Sequence, residues 1–124
     1  MARNHLVKVI YEDNHLFVVN KPAGLATQPG VDNPTSLEGE AKDWIKQEYQ
    51  KPGNVYLHAL HRLDKPVSGL VLFARTSKAL TRLNESIKAQ DTKKIYFALV
   101  EGNLPNLVGS LEHYLVHDNY RARI

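Results

Sequence analysis

Hydrophobic and polar positions form short, well-separated runs near the start of the chain. Residues 7–11 and 16–20 are rich in β-branched and aromatic side chains, and the Glu-Asp-Asn-His segment between them has the composition of a turn. This pattern predicts a β-hairpin. Residues 21–34 then carry Pro, Gly, Asp and Asn at close intervals, which predicts an irregular loop.

Two later segments have the three- and four-residue spacing of apolar positions that is typical of amphipathic helices. The first runs from Thr35 to about Gln50, and its T-S-L-E start has the spacing of a capping box between the Thr35 hydroxyl and the Glu38 carboxylate. The second helix is capped by Thr76 or Ser77. Its apolar stripe consists of Ala79, Leu80, Leu83 and Ile87.

Four further runs are typical of strands, namely residues 55–60, 68–74, 95–101 and 111–116. The 68–74 run is almost continuously apolar, which predicts a strand buried on both faces. The order ββαββαββ differs from a strict βαβ alternation and predicts an α+β fold, with a mixed, mainly antiparallel sheet and two helices. The length of 124 residues predicts one domain over residues 1–124. Its Y-R-A-R-I end carries no stop signal, so we expect this domain to be partial.

Composition and charge narrow the class of protein. With 43% hydrophobic and 23% charged residues, the chain is typical of globular proteins. It has no Cys, which excludes disulfides and thiolate metal sites. It shows neither a signal-peptide pattern nor an apolar run of about 18 residues, so we expect a cytoplasmic protein without a membrane partner.

Positive charge is concentrated in the middle of the chain. Residues 58–100 carry eight Lys or Arg against three Asp or Glu, an excess of +5, whereas the whole chain has a net charge of +3. A basic segment of this kind suits a polyanion such as RNA, and a solvated helix face explains the charge equally well. The cations of this candidate phosphate-facing surface are Lys78, Arg82, Lys88, Lys93 and Lys94.

One stretch carries candidate chemistry: residues 61–75 read H-R-L-D-K-P-V-S-G-L-V-L-F-A-R. Asp64 lies on a predicted loop between Arg62 and Lys65, and Gly69 allows a close backbone approach. Nearby cations favour an ionised carboxylate, which makes Asp64 a candidate nucleophile or base. Taken alone, Asp64 also fits an ordinary loop carboxylate paired with Arg62.

The same stretch closely resembles the catalytic motif of the RluA-type RNA pseudouridine synthases, whose pattern is roughly H-R-L-D-x-x-T/V-S-G-L-x-L-x-A-K/R. The N-K-P-A-G segment at residues 20–24 looks like the K-P-x-G segment of that family, and residues 94–102 look like its K-x-Y-x-A-x-V-x-G strand. The resemblance extends from about Val9 to Gly102. It implies a pseudouridine synthase catalytic-domain fold that isomerises a specific uridine in rRNA or tRNA and consumes no cofactor.

The resemblance also implies roles for individual residues. Asp64 matches the essential aspartate whose attack breaks the C1′–N1 bond of a target uridine, after which uracil rejoins through C5. Tyr96 matches a tyrosine that packs against the uracil and is a candidate catalytic residue for proton transfer, although a core aromatic on an apolar strand is the other interpretation. Arg62 matches an arginine that fills the stack vacated by the flipped base. Lys21 either contacts phosphate or stabilises the Pro-Gly turn. The RNA-binding candidates are Arg62, Lys21, Lys65, Lys93 and Lys94.

The spacing of the histidines does not predict a metal site. His58 and His61 are three residues apart and therefore point to opposite faces of a strand. We expect His61 to order the loop through hydrogen bonds. His113 and His117 have no obvious third ligand, so we expect them to be surface residues.

The chain also departs from the family pattern. Family members continue into a G-R-x-H-Q-I-R segment that supplies a basic partner for the aspartate, and this sequence ends before such a segment. We therefore expect residues 1–124 alone to be inactive or nearly so, and we expect self-association through an exposed sheet edge. Two rivals stay open, a non-catalytic RNA-binding remnant and a carboxylate-dependent nucleoside hydrolase, although the missing second carboxylate disfavours the hydrolase.

Overall fold

A computed structural model of the protein describes residues 7–31, 35–118 and 121–124. Its elements follow the order β1 (Lys8–Glu12), β2 (Leu16–Lys21), α1 (Leu37–Glu48), β3 (His58–Ala59), β4 (Gly69–Ala74), α2 (Ser77–Lys88), β5 (Val116–Asp118) and β6 (Arg121–Arg123). The strand pairs among the described residues are antiparallel, which together with the two helices confirms the predicted α+β class. The chain divides into two compact units, an N-terminal unit of Met1–Lys93 and a C-terminal unit of Lys94–Ile124.

β1 and β2 form the predicted hairpin. The two strands pair antiparallel, with a register irregularity between Val9 and Tyr11. Asp13 holds the turn, since its Oδ1 accepts hydrogen bonds of 2.7 Å from the backbone amides of both His15 and Leu16. A short carboxylate thus satisfies backbone donors that the tight connection leaves unpaired, as is typical of Asp in turns.

The N-terminal unit is built on a four-stranded sheet in the order β1-β2-β4-β3. β2 and β4 pair over their full lengths, from Leu16 opposite Ala74 to Lys21 opposite Gly69. Alternate side chains of a strand share one face, and here that face forms the core. The fully buried apolar side chains on this face are Phe17 and Val19 of β2 and Val71 and Phe73 of β4, whereas Ala74, which is also fully buried, directly follows Phe73 and therefore points to the opposite face.

The prediction that residues 68–74 are buried on both faces is wrong. Leu70 retains 53% of its accessible surface, whereas its neighbour Val71 is fully buried. α1 supplies three fully buried side chains to the core that lies on the Val71 face. α2 packs against β4 with Ala79 as its buried residue, and Leu70 near the start of β4 stays exposed.

α1 begins one residue later than its sequence suggests. Ser36 is the N-cap, and its side chain accepts a hydrogen bond of 3.1 Å from the amide of Gly39. The predicted capping box between Thr35 and Glu38 is therefore wrong, because Glu38 occupies the second helical position and Gly39 the third. The helix also ends at Glu48 instead of about Gln50, while Thr76 caps α2 as predicted.

Three of the predicted strands differ from the structure. The 55–60 run contributes only the two residues of β3, which pair with the end of β4. Residues 95–101 and 111–115 form no strand, and apolar side chains such as Phe97 and Leu99 are fully exposed. The pairing described within the C-terminal unit is that of β5 with β6. A run of apolar and β-branched residues forms a strand only where another strand pairs with it, and here the sequence composition alone predicted more strand than the structure contains.

The turn of the hairpin should titrate at unusually low pH. Hydrogen bonds from the amides of Leu16 and His15 and from the Tyr11 hydroxyl lower the pKa of Asp13 from 3.8 to about 2. Because the folded-state pKa lies below that of the unfolded chain, Asp13 contributes stability that is complete above about pH 4 and is lost as the pH falls toward 2.

We expect an NMR titration of the Asp13 carboxyl carbon to show a midpoint near 2. We expect Asp13→Asn to reduce the dependence of the free energy of unfolding on pH in the acid range. Asp43→Asn, on the exposed side of α1, should leave that dependence unchanged. A midpoint near 4 would contradict the hydrogen bonding described for the turn.

Candidate active site

Two loops meet at one end of the four-stranded sheet. The Lys21–Gly69 pair closes the β2–β4 ladder, so the loop that leaves β2 and the loop that enters β4 start from neighbouring positions. We call residues 22–27 the Pro-Gly loop and residues 62–67 the Asp64 loop. The Asp64 loop is closed by a hydrogen bond of 2.9 Å from the amide of Val67 to the carbonyl of Asp64.

The charged side chains of the Asp64 loop lie at the surface. Arg62, Asp64 and Lys65 are exposed, while Leu63 between them is buried. Leu63 therefore anchors the loop in the core and leaves the carboxylate accessible from solvent. The exposure of Asp64 agrees with the expectation that its carboxylate is available to a substrate.

Lys21 ties the two loops together from the inside. Its side chain is fully buried, and its Nζ donates to the carbonyl oxygens of Pro22 at 3.0 Å, Leu25 at 2.6 Å and Lys65 at 3.0 Å. A buried ammonium group is costly unless its protons are hydrogen-bonded, and these three carbonyls meet that requirement. Of the two roles considered for Lys21, this geometry supports the stabilisation of the Pro-Gly turn.

Electrostatics link Lys21 to Asp64. Burial lowers the pKa of the Lys21 ammonium, and the negative charge of Asp64 opposes that shift and raises the pKa. Asp64 therefore lies near enough to favour the charged form of the lysine. The sequence placed these two residues in separate motifs, and the sheet brings them to one site.

The backbone on both sides of Asp64 is hydrogen-bonded to the Pro-Gly loop. The carbonyl of Lys65 accepts from the amide of Gly24 at 2.7 Å. Leu63 exchanges two hydrogen bonds with the Thr27 hydroxyl, which donates to its carbonyl at 2.9 Å and accepts from its amide at 3.1 Å. Thr27 was not among the residues predicted from sequence, because a single Thr in a loop rich in Pro and Gly belongs to no periodic pattern. Its burial would have been the signal, and burial is a tertiary property.

Gly69 and His61 constrain the chain on the two sides of the Asp64 loop. Gly69 has a φ of +145°, a conformation that disfavours other residues, and a Cβ there would lie 3.4 Å from Leu63 Cδ1. His61 Nε2 accepts a hydrogen bond of 3.2 Å from the amide of Leu72 in β4. This contact confirms the prediction that His61 orders the loop through hydrogen bonds.

The remaining candidates lie farther along the chain. Lys93 is exposed at the end of the N-terminal unit, and Lys94 is exposed at the start of the C-terminal unit. Tyr96 also belongs to the C-terminal unit, where it lies outside any strand and retains 58% of its surface. The interpretation of Tyr96 as a core aromatic therefore does not hold in this structure.

Within residues 7–31, 35–118 and 121–124, no three His, Asp or Glu side chains are grouped so as to hold a metal ion. Both helices have 12 residues, and neither has the length and apolar character needed to cross a bilayer.

Comparison with known proteins gives one consistent result. The model of the RNA pseudouridylate synthase family matches residues 15–123. Ribosomal large subunit pseudouridine synthase C of Buchnera aphidicola is 30% identical over 122 residues, and synthase D of Xanthomonas campestris is 40% identical over 101 residues. The dual-specificity RNA pseudouridine synthase RluA of Haemophilus influenzae is 34% identical over 110 residues.

The matches cover most of this chain and a smaller share of each relative. They include 98%, 79% and 89% of the chain and 37%, 29% and 47% of the three relatives in the same order. A solved structure of human RNA pseudouridylate synthase domain containing 4 superposes with a TM-score of 0.55 at 23% identity, over 67% of this chain and 30% of that one. The structural match supports the fold.

We expect the buried Lys21 to contribute to the stability of the protein. Lys21→Met keeps the length of the side chain and removes the donors to three carbonyls, so the free energy of unfolding should fall by about 1–3 kcal/mol. Lys65→Met, at an exposed side chain, should change it by less than about 0.5 kcal/mol. Urea denaturation of the two variants measures the difference, and equal stabilities would show that the Lys21 contacts contribute nothing.

Proposed function

The chain belongs to the RNA pseudouridylate synthase family, and from this membership we propose that the protein isomerises uridine to pseudouridine in RNA, with Asp64 as the nucleophile or base. The observation that carries this proposal is the exposed Asp64 carboxylate on a loop whose backbone is hydrogen-bonded on both sides. A reactive group needs this combination, because it must reach its substrate and keep a defined orientation.

The chemistry suits a single carboxylate. Asp64 starts the breaking of the C1′–N1 bond, the detached uracil turns within the site, and a new bond forms between C1′ and C5. C5 then gives up its proton, and N1, which is no longer bonded to the ribose, takes one up. The product contains every atom of the substrate, so the reaction consumes no cofactor. Hydrolysis of a glycosidic bond usually needs a second carboxylate to act on water or on the leaving group, and for this reason we favour isomerisation over the nucleoside hydrolase.

The cations beside Asp64 are proposed to hold the RNA. Arg62 and Lys65 are exposed residues of the same loop as Asp64, and exposed cations can contact phosphates without a large desolvation cost. The planar guanidinium of Arg62 is suited to occupy the stack left by a flipped base. We propose Lys93 and Lys94 as further phosphate contacts, and Tyr96 as the residue that packs against the uracil.

The substrate class follows from the relatives. Two of those described above are named for the large ribosomal subunit and one for dual specificity. We propose ribosomal RNA as the substrate, with tRNA as the alternative. A non-catalytic RNA-binding module is the second candidate function, since the same exposed cations would serve it equally well.

Replacement of Asp64 separates the two functions. In the complete product of the gene, Asp64→Asn should reduce pseudouridine formation by more than about a thousandfold and leave RNA affinity within about threefold, because the cations remain. Asp91→Asn, at an exposed position after α2, is the matched control and should behave as wild type. Chromatography of nucleosides released from the RNA measures the product, and filter binding measures affinity.

The outcomes of this experiment are distinct. An RNA-binding module predicts no product from either protein and unchanged affinity, and product formation by Asp64→Asn at the wild-type rate would exclude Asp64 as the reactive group. Residues 1–124 assayed alone should give little or no product, because this chain spans less than half of each relative described above.

We also propose that the 124-residue chain self-associates. The C-terminal unit exposes an apolar stretch that includes Ile95, Phe97 and Leu99, and an exposed apolar stretch favours contact with another chain. Light scattering should give a mass that rises above the 14.0 kDa of the monomer as the concentration increases through the micromolar range. Phe97→Glu combined with Leu99→Glu should suppress the rise, and a constant 14.0 kDa for the unmodified chain would refute self-association.

A further inference from the structure

We infer that Thr27 is a positioning residue for Asp64, acting through the two hydrogen bonds that its hydroxyl exchanges with Leu63. The inference rests on the proposed function, since it concerns the orientation of the reactive carboxylate. It assigns a role to a residue of the Pro-Gly loop that touches neither the carboxylate nor the surface.

The geometry of the contact fixes the chain that leads into Asp64. The Thr27 hydroxyl donates to the Leu63 carbonyl at 2.9 Å and accepts from the Leu63 amide at 3.1 Å. The amide belongs to the peptide group before Leu63, and the carbonyl belongs to the peptide group that contains the nitrogen of Asp64. Both planar peptide groups around Leu63 are therefore held, and rotation at Leu63 would break both hydrogen bonds.

Thr27 is itself held by a rigid element. Its own carbonyl accepts from the amide of Glu38 at 3.0 Å, and the carbonyl of Ala26 accepts from the amide of Leu37 at 2.8 Å. These donors lie in the first turn of α1, where amides have no partner within the helix. The connection thus runs from the first turn of α1 through Thr27 and Leu63 to Asp64, and a site supported in this way keeps its geometry.

Burial makes the hydroxyl hard to replace. Thr27 retains 3% of its surface and Leu63 8%, so water has little access to either partner. Without the hydroxyl, the amide and carbonyl of Leu63 must regain partners by moving toward solvent. That movement displaces the backbone of Asp64 and leaves the exposed side chains of Arg62 and Lys65 able to contact RNA.

Thr27 also allows a cleaner test than Lys21. Replacement of Lys21 changes the charge near Asp64 as well as the backbone contacts, so position and electrostatics would change together. Thr27→Val has nearly the same shape as the wild type and alters no charge. Thr27→Ser keeps the hydroxyl and removes the methyl group.

The experiment measures kcat and KM for pseudouridine formation in the complete product of the gene, at a temperature where circular dichroism shows each variant to be folded. Thr27→Val should lower kcat by about 10- to 100-fold with KM for RNA within about threefold. Thr27→Ser should retain kcat within about threefold of wild type. Thr81→Val is the control, because the Thr81 hydroxyl is likewise bonded to a carbonyl, that of Ser77, but on the exposed side of α2.

Each outcome decides the inference. Wild-type kcat from Thr27→Val would overturn it and leave the proposed function intact. A loss of about tenfold or more from Thr27→Ser would also overturn it, since the methyl group and not the hydroxyl would then be responsible, and this criterion holds even if Thr27→Val fails to fold. No product from the wild-type protein would instead overturn the proposed function, and the inference with it.

Discussion

The antiparallel pairing of β2 with β4 is the constraint on which the candidate site depends. Six residue pairs join these strands, from Leu16 opposite Ala74 to Lys21 opposite Gly69. A shift of one residue would turn every side chain of β2 to the other face, which would expose Phe17 and Val19 and carry the Lys21 ammonium away from its three carbonyls. The hydrophobic core and the position of the two loops are therefore set by one register. This coupling explains how a short sheet can specify a site formed by irregular backbone.

The site shows how polar groups are placed inside a small protein at acceptable cost. Lys21 is buried, yet its ammonium meets three carbonyl oxygens, and the charge of Asp64 favours its protonated form. The Thr27 hydroxyl similarly satisfies both the amide and the carbonyl of Leu63. Since unsatisfied buried groups would cost more than the hydrogen bonds contribute, these contacts leave the two loops one low-energy arrangement. The exposed carboxylate is thereby supported by a buried polar framework.

Local sequence preference predicts the strands of the N-terminal unit better than those of the C-terminal unit. In the N-terminal unit, the runs around Val9, Val19 and Val71 become paired strands because each has a neighbour of matching register and a core to face. In the C-terminal unit, the run that contains Phe97 and Leu99 is equally rich in apolar and aromatic residues but stays exposed and outside any strand. Strand propensity describes how well side chains suit a half-buried sheet, and it does not supply the partner. Helices depend less on distant partners, and α1 and α2 lie within a few residues of their predicted bounds.

The sequence by itself determined the hairpin, the two amphipathic helices, the α+β class and the identity of Asp64 as the candidate reactive group, because hydrophobic periodicity, turn composition and a contiguous motif are all local along the chain. Only the tertiary structure decided that Ser36 caps α1, that Lys21 lies beneath the loop instead of at the surface, and that Thr27 holds the residue before Asp64. The cap is a local contact with Gly39 that the sequence offers next to an equally suitable Thr35, and the other two properties arise from contacts between residues far apart in the chain, such as the 36 positions that separate Thr27 from Leu63. Burial and hydrogen-bond partners are created by folding, and a residue type at a given position does not reveal them.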